Sequence, residues 1–135
     1  IAKRGLSVHE GITLASMVEQ EASNPADRAT VAQVFLLRLI NGIRLESDVT
    51  AFYGSIINGQ KPSVLYDSPY NTYLHDGLPI GPISNISESS LLSVTNPSAT
   101  DYLYFVAGDD GKTYFSHTLQ EHEALTAEHC KTLCQ

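Results

Sequence analysis

The stretch Leu14-Ala15-Ser16-Met17-Val18-Glu19-Gln20-Glu21 places two carboxylates in an otherwise apolar helical segment. Upstream, Ser7 and Glu10 form an S-x-x-E capping box that starts the helix. Apolar residues recur at Val8, Ile12, Ala15, Val18 and Ala22, with Leu14 and Met17 widening the stripe. At about 100° per residue, Glu21 falls inside that stripe, between Met17 and Leu14 and above Val18. A glutamate held among apolar side chains resists ionisation and keeps a proton near neutral pH, which a general acid requires. The alternative is a boundary residue that snorkels to water. Glu19 also lies in the wide apolar arc, beside the smaller Ala15 and Ala22, so the geometry favours Glu21 only slightly.

Working outward, Ala22-Ser23-Asn24-Pro25 closes this helix and opens a second. Asn24 suits the N-cap, Pro25 the first helical position, and Asp27 complements the helix dipole. From Ala29 to Ile40 the chain is apolar on nearly every side, which predicts a central, buried helix stopped by Asn41-Gly42. Arg38 is the exception within it, and a buried Arg calls for an acidic partner. Val49, Phe52, Tyr53, Ile56 and Ile57 then follow amphipathic spacing, with Ser47 or Asp48 as cap and Asn58-Gly59 as stop. Capping alone is a sufficient reason for Asp48.

Residues 60–87 differ in texture. Pro62, Pro69, Pro79 and Pro82 alternate with Gly77 and Gly81, and Tyr66, Tyr70 and Tyr73 are threaded between them. A loop this long in a compact domain is usually a binding surface or lid. Its tyrosines suit either stacking under a sugar ring or packing the loop onto the helices. Asn71 suits either a hydrogen bond to the loop or one to a ligand amide. Ser87 or Ser89 caps a short helix ending before Pro97. Tyr102 to Ala107, turned by Gly108-Asp109-Asp110-Gly111 and returning through Thr113-Tyr114-Phe115, reads as a β-hairpin. Thr118 and Glu121 make a second capping box for a last helix with Leu119, His122 and Leu125 on its inner side. The expected fold is a mainly helical α+β single domain, with a hairpin near the C-terminus and the Tyr/Pro/Gly loop lying over the helix that bears Glu21.

Composition narrows function. A chain of 135 residues with 42% hydrophobic and 17% charged residues is long enough for one domain with a real core. A net charge of −7 and eight scattered basic residues argue against a nucleic-acid groove. The chain starts at Ile1 and shows neither signal peptide nor membrane-length apolar run, so it reads as a processed or excised piece. Cys130 and Cys134 are open to three readings: a local disulfide, free thiols, or a metal site with His122 and His129. No G-x-G-x-x-G, P-loop, H-E-x-x-H or G-x-S-x-G is present. The lysines Lys3, Lys61, Lys112 and Lys131 all read as solvent-facing, which leaves a pyridoxal Schiff base without support. Carboxylate chemistry at Glu21, without cofactor or metal and beside a Tyr- and Asn-bearing loop, suits a glycan.

The motifs are more specific than the pattern. L-A-S-M-V-E-Q-E at Leu14–Glu21, V-F-L-L-R-L at Val34–Leu39 and D-V-T-A-F-Y at Asp48–Tyr53 come in order with S-P-Y-N-T-Y at Ser68–Tyr73, G-L-P-I-G-P-I at Gly77–Ile83 and Y-L-Y-F-V-A at Tyr102–Ala107. With these blocks the chain resembles the catalytic domain of the MltG (YceG-like) endolytic murein transglycosylases, over residues 1–135. The resemblance implies a bacterial enzyme that cuts peptidoglycan glycan strands internally, outside the cytoplasmic membrane, alongside cell-wall synthases. It implies a membrane anchor and a LysM-like segment, both outside this sequence. The second glutamate of the family's E-x-E pair is its catalytic acid and lands on Glu21. Tyr70, Asn71 and Tyr73, with Gly77 and Pro79, would hold the substrate, while Asp48 or Glu19 would support the site.

Departures from the family pattern are Val49 and Ile80 in place of prolines, Ile86-Ser87 in place of Pro-Gly, and Glu123 in place of Asn. Thr113 stands where many members have His, which weakens the case for a hairpin contribution to the site. Two rival readings remain: a muramidase-type hydrolase with Asp48 as nucleophile or base, and a non-catalytic module that binds glycan strands.

Overall fold

The computed structural model describes residues 5–134. Five α-helices and one hairpin follow in the order α1 (Val8–Glu21), α2 (Arg28–Ile40), α3 (Asp48–Ile57), α4 (Glu88–Thr95), β1 (Tyr104–Ala107), β2 (Thr113–Ser116) and α5 (Leu119–His129). This is the expected helical α+β domain. None of these helices is long and apolar enough to cross a membrane.

α1 opens on the Ser7–Glu10 capping box. Its middle is buried all round: Leu14, Ala15, Ser16, Met17 and Val18 are completely enclosed by α2, α4 and the long loop. Burial is therefore wider than the predicted stripe, and Val8 at its head is exposed. Asn24 caps a 3-10 turn, Pro25–Asp27, which leads into α2. α2 supplies Val31, Val34 and Phe35 to the core, and Phe35 meets Phe105 of β1 edge to face at 5.4 Å.

α3 corrects the sequence expectation. Its buried residues are Thr50, Ala51, Gly54 and Ser55, while Ile56 and Ile57 are more than half exposed. The reason lies in what covers it. The long loop runs across α3, bringing backbone groups that need polar partners. Thr50 Oγ1 and Thr72 Oγ1 lie 2.8 Å apart, and the Ser63 amide donates to Ser55 Oγ at 3.2 Å. At Gly54 an added Cβ would sit 1.9 Å from Ser68 Oγ, so only glycine permits the approach.

The loop organises itself around Asn71, which is buried. Its Nδ2 donates to the Val64 and Tyr66 carbonyls, and its Oδ1 accepts from the Tyr73 and Leu74 amides. Beyond Asn71 the loop crosses α1 as expected: the Ile83 amide donates to Ser16 Oγ at 3.0 Å, and Ser84 Oγ to the Ser16 carbonyl at 3.1 Å. Ser87 caps α4. The hairpin pairs Tyr104 with Ser116 and Ala107 with Thr113, and α5 packs on it behind the Thr118–Glu121 capping box. Leu119 on α5 is more than half exposed rather than buried. Cys130 and Cys134 form a disulfide, which settles the three readings. Lys61, Lys112 and Lys131 are exposed, and Lys3 lies outside the described residues.

Candidate active site

Glu21 is the last residue of α1, so its side chain leaves the core just where the helix ends. It opens into a cavity of about 410 Å³ whose walls include Arg38, Asp48, Tyr73, Tyr104 and His122. Segments distant in sequence meet there: the end of α1, Arg38 of α2, the corner leading into α3, Tyr73 of the long loop, and the hairpin with α5.

The corner is the sharpest feature. Glu46 adopts a φ of +50°, the only non-glycine in the left-handed region among the described residues. That turn aims the next two side chains at Glu21. Ser47 occupies the N-cap of α3 but makes no capping bond. Instead its buried hydroxyl donates to Glu21 Oε1 at 2.6 Å. Its backbone is fixed on both sides, the amide donating to Thr72 Oγ1 at 2.9 Å and the carbonyl accepting from Thr50 Oγ1 at 2.8 Å. Asp48 likewise does not cap; its carboxylate accepts the Tyr73 hydroxyl. The capping explanation thus fails for both candidates, because both side chains are used by the site.

The electrostatics follow from this packing. Desolvation is the main cause that lifts the Glu21 carboxyl to about 7; the Asp48 charge pushes the same way and the Ser47 hydroxyl opposes it. Burial and Asp48 push the Tyr73 phenol well above its usual range, so it stays a hydrogen-bond donor to Asp48. Arg38 is held mainly by carbonyls: Nε donates to Leu103 O at 2.6 Å and Nη1 to Arg44 O at 2.7 Å. The expected acidic partner is present but farther, Glu46 at 3.8 Å, and the guanidinium lies 4.9 Å from the Tyr104 ring centre. His122 stacks on that same ring at 5.2 Å.

Of the residues singled out in the sequence, the structure brings Glu21, Asp48 and Tyr73 together. The others go elsewhere. Glu19 faces α4, accepting the Ser87 amide and Ser90 hydroxyl at 2.8 Å each and Arg28 Nη2 at 3.2 Å. Donation from the Ser87 hydroxyl and amide foremost, then from Ser90, with the Arg28 charge, holds its carboxyl below the usual range, opposite to Glu21. Tyr70 packs edge-on against Tyr53 at 4.8 Å. Asn71 spends its whole amide on the loop, Gly77 turns it at φ +79°, and Pro79 is buried in it. The hairpin does reach the cavity, through Tyr104 to Ala107, although Thr113 does not line it.

Ser47, Arg38, Glu46, Tyr104 and His122 were not expected in a glycan site; the sequence marks Ser47 as a helix cap and His122 as an inward residue of the last helix or a ligand of a metal site with the cysteines. Arg38 had a signal, a lone cation in an apolar helix. Ser47 had none, because its role depends on the unusual backbone at Glu46.

Comparison with known proteins agrees with the sequence blocks. The YceG-like family model matches residues 1–128. The chain is 44% identical over 125 residues to an endolytic murein transglycosylase of Bacillus subtilis, covering 89% of this chain and 34% of that protein. It is 36% identical to an endolytic murein transglycosylase of Streptococcus pneumoniae, covering 96% of this chain and 25% of that protein. A crystal structure of a yceG-like protein from Listeria monocytogenes shares the fold with a TM-score of 0.82 at 44% identity, covering 92% of this chain and 42% of that one. The chain spans about a third or less of the curated relatives it matches.

Proposed function

The chain belongs to the YceG-like family, and on that premise we propose that it is the catalytic domain of an endolytic peptidoglycan transglycosylase, with Glu21 as its acid and base. The observation that carries this reading is a carboxyl lifted to about 7 at the edge of a 410 Å³ cavity. Near neutral pH it is populated both with and without its proton, as a group that first gives and then takes one must be.

Protonated Glu21 donates to the glycosidic oxygen between N-acetylmuramic acid and N-acetylglucosamine, and the C1–O bond breaks. The carboxylate left behind accepts the proton of the muramoyl C6 hydroxyl as O6 bonds to C1. A 1,6-anhydro ring closes and Glu21 is again protonated. The nucleophile belongs to the substrate, so no water is activated and the attack gains the large effective molarity of an intramolecular step. Ser47 occupies Oε1, which leaves Oε2 as the oxygen that carries the transferable proton. Asp48, fixed by Tyr73, places a carboxylate beside the site, which favours the cationic character that develops at C1.

Asp48 supplies a second carboxyl, so the hydrolytic alternative has a specific feature behind it; two-carboxyl glycosidases use separations of about 5–5.5 Å or about 6.5–9.5 Å. The products decide: anhydro ends for transglycosylation, reducing ends for hydrolysis. The Cys130–Cys134 disulfide supports a location outside the cytoplasm, at the cell wall, where membrane anchorage and synthase partners also fit. The test is mass spectrometry of digested murein sacculi. Wild type releases anhydromuropeptides and Glu21→Gln releases none while keeping its fold; turnover retained by Glu21→Gln removes Glu21 from the scheme.

A further inference from the structure

His122 is a polar group of the cavity wall that the chemistry above leaves unused. Its ring lines the cavity and stacks on Tyr104, with centres 5.2 Å apart and planes 27° apart. Its Nδ1 is sealed from solvent and has no hydrogen-bond partner. Its Nε2 has no protein partner among the described residues either.

The tautomer follows from those two facts. A buried N–H without an acceptor is rarer and costlier than a buried lone pair without a donor. The single proton of the neutral ring therefore sits on Nε2. Burial and the nearby Arg38 guanidinium both pull His122 below its ordinary range, so the neutral form prevails near pH 7. With Nδ1 closed off, the Nε2–H edge is what the ring offers to the cavity. Val106, Ala107 and Leu119 line the same space and give it an apolar flank. A neutral donor beside an apolar flank matches one group of an N-acetylated sugar, the acetamido group, with a carbonyl for the donor and a methyl for the flank.

We propose that His122 reads the N-acetyl group of the glycan, donating from Nε2 to the acetamido carbonyl. This rests on the transglycosylase reading for its substrate but not on Glu21 for its outcome.

The test is a cycle of protein and ligand changes, read as binding in the Glu21→Gln background. The probes are GlcNAc–MurNAc oligomers and the same oligomers after de-N-acetylation. His122→Phe keeps the stack on Tyr104 and removes both ring nitrogens. It should weaken binding of the acetylated oligomer about tenfold, the worth of one desolvated hydrogen bond. It should leave the deacetylated oligomer unaffected, since the charge of the new amine cancels between the two proteins. His122→Gln, which restores an N–H donor, should recover most of the loss. Nitrogen-15 NMR of the ring should show Nε2–H in the free protein and a shift of that proton when the acetylated oligomer binds.

Equal weakening for both oligomers, no weakening for either, or a ring protonated on Nδ1 alone overturns the proposal. Absence of anhydro products from wild type, with the acetyl-specific loss intact, would instead overturn the transglycosylase reading and leave this one standing.

Discussion

Replacing Ser47 with Ala tests whether the proton affinity of Glu21 is set by its surroundings as described. The hydroxyl donates to Glu21 Oε1 at 2.6 Å from a position 3% exposed, so water cannot simply take its place. A hydrogen bond to a charged group contributes about 1.5–3 kcal/mol and one to a neutral group about 1 kcal/mol. Removing the donor thus penalises the ionised form by about 1–1.5 kcal/mol more than the protonated form, which is about one pKa unit. Glu21 should rise from about 7 to about 8. In the proposed mechanism cleavage begins with protonated Glu21, so activity should fall where the proton is lost, and the alkaline limb of kcat/KM against pH should move up by about one unit. The backbone of residue 47 is anchored by Thr72 and Thr50, not by its own hydroxyl, so the site keeps its shape. The assay is release of anhydromuropeptides by Ser47→Ala across pH 6 to about 9.5, with thermal unfolding as the check on folding. An alkaline limb that stays at its wild-type position, or moves down, refutes this account of Glu21.

Asp48→Asn should move the same limb in the opposite direction, because the Asp48 charge is one of the causes that raise Glu21; the amide oxygen still accepts from Tyr73, and a pH profile of the variant checks it. Gly54→Ala should lower stability by about 3 kcal/mol, since the new methyl would meet Ser68 Oγ at 1.9 Å and Ser68 Cβ at 2.9 Å and force the long loop off α3. Denaturant unfolding reads that loss, and an unchanged midpoint would mean that the loop does not seat on α3.

Local signals were legible wherever a residue acts on its own neighbours. Both capping boxes, the Asn24 cap with Pro25, the Asn41-Gly42 stop and the hairpin turn all depend on contacts within a few residues, and each is present. The failures share a different cause. α3 was oriented by its aliphatics, whereas the irregular loop that lies across it meets Thr50 through the Thr72 hydroxyl and Ser55 through the Ser63 amide. Asn71 carries both a loop-forming and a ligand-binding chemistry, and only its burial tells which is used. Tyr70 and Pro79 belong to the same loop as Tyr73, yet of the three only Tyr73 lines the cavity. Ser47 was hidden most completely, because a serine before an amphipathic helix looks like a cap until the positive φ at Glu46 redirects it.

The pairing of Glu19 with Glu21 shows how one short stretch supports both fold and chemistry. The two side chains are two residues apart on one helix and point to different neighbours. Glu19 receives two hydroxyl or amide donors and a guanidinium, all favouring its charge, and so ties α1 to α4 and to Arg28. Glu21 receives one hydroxyl and faces Asp48, which with burial disfavours its charge. Lifting a carboxyl from 4.5 to about 7 means that ionising it in the folded protein costs about 3 kcal/mol more than in the unfolded chain. That cost is absent below about pH 4.5, where both states are protonated, and grows until the pH passes 7. A lone glutamate in that position would relax by moving into water. It stays because the turn before it, Leu14 to Val18, is fully enclosed and Glu19 pins the last turn from the other side. The carboxyl is therefore held in place by the same packing that opposes its charge, and the clamp at Glu19 positions Glu21 without touching the cavity.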